Sequence, residues 1–150
     1  MNSLMQNSNL PRAVIVDIDG TLAKINGRSP YEWGKVDTDL PNEPVVELVK
    51  LLSKVGKVIV FLSGRDGSCA GKTIVWINQH LGLTYHKDWF LFMRTPNDNR
   101  KDAVIKKELF EQNILNRWYI DFVLDDRNQV VDLWRKEIGL PCFQVDYGDF

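Results

Sequence analysis

Ala13-Val14-Ile15-Val16-Asp17-Ile18-Asp19-Gly20-Thr21 begins with four apolar residues and then turns abruptly polar. A short continuous apolar run rich in Val and Ile reads as a strand buried on both faces, as in a parallel sheet. Three further runs have the same character: Val58-Ile59-Val60-Phe61-Leu62, Phe122-Val123-Leu124 and Cys142-Phe143-Gln144-Val145. Between and after them lie segments of helical character. The first starts at Pro44, which suits a first helical turn, carries an apolar stripe from Val45 to Val55, and stops at Gly56. The others span 72–81, stopped by Gly82, 101–112, and 128–138, stopped by Gly139. Strands alternating with helices predict an α/β fold, a Rossmann-like parallel sheet flanked by helices. Ligands of such sheets sit at the carboxyl ends of the strands.

Composition sets the outer limits. The chain has 150 residues, close to the ~150 of a single domain. Residues 1–12 are polar and aperiodic and read as a flexible leader before a domain at 13–150. No apolar run approaches the ~18 residues that span a bilayer, so no membrane partner is expected. Two cysteines, Cys69 and Cys142, make neither a disulfide framework nor a zinc quartet. A net charge of −1 argues against bulk electrostatic binding of nucleic acid, while leaving room for a local basic site.

The polar residues that end the strands carry the chemistry. The first strand ends in Asp17-Ile18-Asp19-Gly20-Thr21, the second in Ser63-Gly64-Arg65, the third in Asp125-Asp126-Arg127. Asp17 and Asp19, two residues apart, leave the strand on one side. Two carboxylates so close repel each other, and a divalent cation relieves the repulsion. With Asp125 and Asp126 from a neighbouring strand they form an oxygen-rich set suited to Mg²⁺. Ser63 and a lysine then neutralise the remaining phosphate oxygens. A single Asp-Gly pair is an ordinary turn; polar clusters ending three buried strands are not explained that way.

These residues resemble the motifs of the haloacid dehalogenase superfamily of phosphotransferases: Asp17-Ile18-Asp19-Gly20-Thr21, Ser63, Lys101 and Asp125-Asp126, in the superfamily's order. The longer stretches 17–24, 26–31, 63–65, 99–102 and 125–131, with the closing Gly148-Asp149-Phe150, resemble the 3′-phosphatase domain of bacteriophage polynucleotide kinase-phosphatases. The likeness runs from about Ala13 to Phe150. It implies a Mg²⁺-dependent 3′-phosphatase acting on DNA or RNA ends, in the cytoplasm of a bacterium or phage-infected host. Asp17 is then the nucleophile and Asp19 the general acid and base. Ser63 bonds a phosphate oxygen, and Lys101 adds positive charge to the phosphate and to Asp17. Mg²⁺ is held by Asp17, the Asp19 carbonyl, Asp125 and Asp126. Thr21, Arg28, Gly64 and Arg65 contact substrate; for Arg65 a bracing ion pair, with Asp98 for example, is the competing role.

The resemblance also predicts what is missing. Neither gap between the motifs has room for a full cap domain, so the site is expected to be open, as suits a polymer end. Gly67-Ser68-Cys69-Ala70-Gly71-Lys72-Thr73 imitates a phosphate-binding loop but has three residues between its glycines where four are needed. No kinase activity is expected from it, and a separate kinase or ligase partner is left open. Lys106 and Lys107 read as a solvated helix face. His80 and His86 read as surface or packing residues, and Trp76, Trp89, Trp118 and Trp134 as core and rim aromatics. Tyr31, then Trp33, are the candidates for stacking on a terminal base. Two other functions compete: a nucleotide or sugar phosphatase of the same superfamily, and a non-catalytic phospho-acceptor module. Asp19 argues against the second, because a general acid and base beside the nucleophile promotes turnover.

Overall fold

The computed structural model describes residues 3–150. Five parallel strands form one sheet in the order β5-β4-β1-β6-β7. They are β1 (Arg12–Val16), β4 (Val58–Asp66), β5 (Trp89–Arg94), β6 (Tyr119–Arg127) and β7 (Cys142–Gly148). A separate two-stranded ribbon pairs β2 (Ala23–Lys24) with β3 (Leu40–Pro41). The helices are α1 (Glu43–Lys54), α2 (Ala70–Leu81), α3 (Asp102–Asn113) and α4 (Asn128–Asp132), the last continuing as a π-helical turn over Leu133–Ile138.

The central strands explain the architecture. Side chains alternate across β1, so Ala13 and Ile15 enter one core with Val60, Leu62, Phe110 and Trp134, while Val14 and Val16 enter the other with Ile59, Phe61, Val49 and Trp76. Both faces are therefore apolar and both are covered by helices, as the continuous runs require. Three helical segments end at the expected glycines: Gly56 and Gly82 follow α1 and α2 with φ of 92° and 65°, and Gly139 follows the π-helical turn with φ of 88°. Trp76, Trp89, Trp118 and Trp134 are buried.

Two features differ from the sequence reading. Trp89–Arg94 adds a fifth strand to the four apolar runs, pairing along β4 at the sheet edge. The leader is partly bound to the domain: Gln6 exchanges two hydrogen bonds with the backbone of Ile120, and the Leu4 N–H donates to Gly139. Arg12 already belongs to β1. Residues 1 and 2 of that segment lie outside the described residues.

Between β1 and α1 the chain forms only the β2–β3 ribbon and a 3₁₀ turn over Trp33–Thr38, with no large cap over the strand ends. Gly67–Cys69 is a 3₁₀ turn leading directly into α2. No helix among the described residues is long and apolar enough to cross a membrane.

Candidate active site

The adjacency of β1 and β6 places Asp17 beside Asp125 and Asp126. Val16 is level with Leu124, and the Asp17 N–H donates to the Leu124 carbonyl at 3.0 Å. Beyond Asp17 the chain folds into a tight loop in which the Ile18 carbonyl accepts from the N–H groups of Thr21, Leu22 and Ala23. Gly20 is required there twice over. Its φ is 82°, and a Cβ would lie 2.2 Å from Oδ2 of Asp126. Thr21 donates its hydroxyl towards Asp17 Oδ2 at 3.0 Å or Asp126 Oδ1 at 3.4 Å.

Asp17, Asp125 and Asp126 are buried, and an oxygen from each lies within 4.8 Å of the others. One cation faces them. Lys106, only 1% exposed, donates from Nζ to Asp17 Oδ1 at 2.8 Å and Asp125 Oδ2 at 3.0 Å, with Asp102 Oδ2 at 3.6 Å. Asp102 and Lys106 are one helical turn apart on α3 and share a face. The other oxygen of Asp125 accepts from the N–H groups of Asp126 and Arg127. Burial, then the charge of Asp125, pushes the Asp17 carboxyl well above its ordinary pKa, against the pull of Lys106. Asp126 is raised by the same two causes. Burial opposes the charge on Lys106, yet the carboxylates of Asp102, Asp125 and Asp17 lift its pKa well above the usual lysine value. Three carboxylates against one ammonium leave an excess of negative charge in a dry site. All the donors are hard oxygens, a set that fits a divalent cation such as Mg²⁺.

Lys101 therefore does not hold the position expected of it. It precedes the first turn of α3, is exposed, and makes no ion pair among the described residues, although it lines the same cavity. Lys106, one turn into the helix and turned to the core side, takes the place against Asp17. The solvated-face reading holds for the neighbouring exposed Lys107 alone.

Asp17 and Asp19 also part company. The Asp19 side chain, 36% exposed, turns to Arg65, which donates from Nε at 3.1 Å and Nη2 at 2.8 Å, and to Arg28 Nη2 at 3.4 Å. Its carboxylate is outside the three-aspartate cluster. Behind it lies Asp39, which the sequence did not flag. Its buried carboxylate accepts from Arg28 Nε at 2.7 Å and Nη2 at 2.9 Å, and from Arg65 Nη2 at 2.7 Å. Arg65 also donates to Thr73 Oγ1 at 3.0 Å. Arg28 and Arg65 are thus a buried brace for Asp19, with Asp39 rather than Asp98 as the second partner. Asp98 pairs with Arg100 at 2.8 Å.

Ser63 lies within β4, three residues before its end, buried, with its hydroxyl accepting from the Arg65 N–H at 3.1 Å. Gly64 makes space for Asp102, whose Oδ1 would be 1.8 Å from a Cβ there. Above the aspartates opens a cavity of about 1100 Å³, whose lining includes Asp17, Asp19, Gly64, Arg65 and Lys106 together with Lys24, Tyr31, Trp33 and Lys101. His80 packs against Trp76, and His86 lies apart, beside Phe90 in a second cavity.

Comparison with known proteins agrees with this fold. Residues 11–150 match the family described as "Polynucleotide kinase PNKP phosphatase domain". The chain is 37% identical over 145 residues to a protein of Autographa californica nuclear polyhedrosis virus described as "Putative bifunctional polynucleotide kinase/RNA ligase", covering 93% of this chain and 20% of that one. Among solved structures it is similar to a chain of the Pnkp1/Rnl/Hen1 complex, with a TM-score of 0.92 and 46% identity, covering 99% of this chain and 50% of the other. A class C acid phosphatase from Bacillus anthracis, 16% identical with a TM-score of 0.56 over 94% of this chain, shares the fold. The chain spans about half the length of the Pnkp1/Rnl/Hen1 chain and a fifth of the viral relative.

Proposed function

Since the chain belongs to the polynucleotide kinase PNKP phosphatase-domain family and is a phosphatase, a phosphoric monoester hydrolase, we propose that it removes the 3′-terminal phosphate from DNA or RNA ends through a phosphoryl group carried on Asp17. The observation that carries this reading is the seat of Asp17 at the end of β1. It is paired with Lys106, faces Asp126, and opens onto a cavity without a cap.

In the first step an Asp17 oxygen forms a bond to phosphorus while the bond from phosphorus to the 3′ oxygen breaks. Asp19 supplies the proton that the leaving oxygen takes up. In the second step Asp19 accepts a proton from water as the water oxygen attacks phosphorus. The Asp17–phosphorus bond breaks and inorganic phosphate leaves. Lys106 orients Asp17 and stabilises charge on the transferring group, and the Arg28–Asp39–Arg65 brace holds Asp19 in place. Ser63 and Thr21 supply hydroxyls near the phosphate. Asp17, Asp125 and Asp126 would hold Mg²⁺, with the Asp19 carbonyl added by the family resemblance, and the ion would supply positive charge to the phosphate oxygens. The viral relative is described as a kinase and ligase, and by that likeness a separate kinase or ligase acts with this chain, the ligase joining the 3′-hydroxyl left behind.

Phosphate release from matched oligonucleotides bearing a 3′- or a 5′-phosphate, with Mg²⁺ and with EDTA, tests the reading. Release from the 3′-phosphate alone, dependent on Mg²⁺ and lost in Asp17→Asn, is the expected result. Release from small phosphate esters but from neither oligonucleotide keeps the chemistry and removes the polynucleotide substrate.

A further inference from the structure

Seven cations line the large cavity: Lys24, Arg65, Arg94, Arg100, Lys101, Lys106 and Arg127. Five are committed to carboxylates. Arg65 holds Asp19 and Asp39, Lys106 holds Asp17 and Asp125, Arg100 holds Asp98 and Glu108, and Arg94 and Arg127 both face Asp102 at 3.5 Å. Lys24 and Lys101 have no such partner among the described residues. Both are exposed, and they come from different elements: Lys24 from β2, Lys101 from the entry to α3. The backbone that carries Lys101 is fixed even though its side chain is free. The Arg94 guanidinium donates to the carbonyls of Gly64, Asp98 and Arg100, tying that loop to the end of β4.

An aromatic ring accompanies them. Tyr31 is 79% exposed on the cavity wall, with Trp33 edge-on at 6.2 Å. Its loop is held by the Ser29 N–H bond to Glu32 and by Arg28, which donates to the carbonyls of Ser29 and Pro30. The arginine that braces Asp19 thus also sets the position of the exposed ring. Free cations lining one cavity with a solvent-facing aromatic are what a single nucleic-acid strand requires: charge for the backbone and a π-face for any base.

Resting on the 3′-phosphatase reading, we propose that Lys24 and Lys101 bind the phosphodiester on the 5′ side of the terminal nucleoside while Tyr31 stacks on the terminal base, so that the site selects a polynucleotide end over a mononucleotide. The sites of the two lysines imply a backbone contact without base readout. Sequence preference is accordingly weak.

The test compares kcat/KM for a 3′-phosphorylated oligonucleotide with that for a 3′-mononucleotide across a series of salt concentrations. The wild-type protein is expected to favour the oligonucleotide by at least about tenfold, a preference that shrinks as salt rises. Lys101→Met and Lys24→Met each lower the salt slope for the oligonucleotide by about 0.7 and reduce the preference. Tyr31→Ala reduces the preference about tenfold with the salt slope retained, and Tyr31→Phe restores it. Lys50→Met, on the exposed face of α1, changes neither quantity. A mononucleotide hydrolysed as well as the oligonucleotide, or unchanged salt slopes in both lysine variants, overturns the subsite alone. Hydrolysis of neither substrate by the folded protein overturns the 3′-phosphatase reading and the subsite with it.

Discussion

The two halves of the active site are built on opposite electrostatic plans. The floor, between β1, β6 and α3, sets Asp17, Asp125 and Asp126 against a single Lys106 and keeps an excess of negative charge. The wall, between the β2–β3 ribbon and β4, sets Asp19 and Asp39 against Arg28 and Arg65 and balances. In the wall every buried charge has a hydrogen-bonded partner, and the geometry is complete in the protein alone. In the floor the unrelieved repulsion awaits cations from outside. Burying ions costs several kcal/mol each unless they are paired. The wall meets that cost by pairing, and the floor leaves part of it to the divalent cation proposed above.

The largest expected effect is at the nucleophile. Asp17→Asn lowers phosphate release by at least about a thousandfold, as removal of a covalent nucleophile does elsewhere. It also raises the melting temperature of the metal-free protein, because the buried cluster, in which Lys106 alone faces three carboxylates, loses one negative charge; calorimetry with EDTA reads this. An equivalent neutral substitution in the wall does the reverse. Asp39→Asn leaves two buried guanidinium groups short of a partner and destabilises the fold by about 3–5 kcal/mol, measured by urea unfolding. Equal shifts of the same sign in both variants would abolish the contrast.

The lysines sharpen it. Lys106→Met removes the one cation of the floor and lowers kcat by about a hundred- to a thousandfold, the scale set by loss of a charge-stabilising donor at a reacting group. Lys101→Met leaves kcat at saturating oligonucleotide within about threefold. The smallest effect is thermal. Mg²⁺ at a hundredfold excess over its Kd stabilises the wild-type protein by about 2.7 kcal/mol. Asp126→Asn loses most of that gain, whereas Asp39→Asn, though less stable, retains it.

The same contrast separates what was legible in the sequence from what was not. The floor's aspartates end uninterrupted apolar runs, and a parallel sheet must bring such ends together, so Asp17, Asp125 and Asp126 were visible in advance. The core strands and the glycines that stop the helices were visible for the same local reasons. Trp89–Arg94 was harder, because an edge strand packs incompletely and its residues are mostly half-buried. Lys106 was missed because a buried lysine beside an exposed one looks like a solvated pair. The available signal was its spacing: Asp102 one turn before it, Ile105 beside it and Phe110 one turn after, all on the inward side of α3. Asp39 gave no local signal. Its partners are 11 and 26 residues away, and only the folded ribbon brings it under both arginines. Asp19 turns away from the side the sequence implied, because the alternation that would align it with Asp17 ends where the chain leaves β1.

The central claim is that the phosphoryl group of a 3′ end passes through Asp17. The direct measurement is single-turnover reaction with an oligonucleotide carrying a radiolabelled 3′-phosphate, quenched in acid and followed by peptide mapping. The account predicts label on the protein that rises and decays before free phosphate reaches its plateau, located in the peptide containing Asp17 and absent from Asp17→Asn. Free phosphate appearing at full rate with no labelled protein at any time, or release by Asp17→Asn at the wild-type rate, would contradict it.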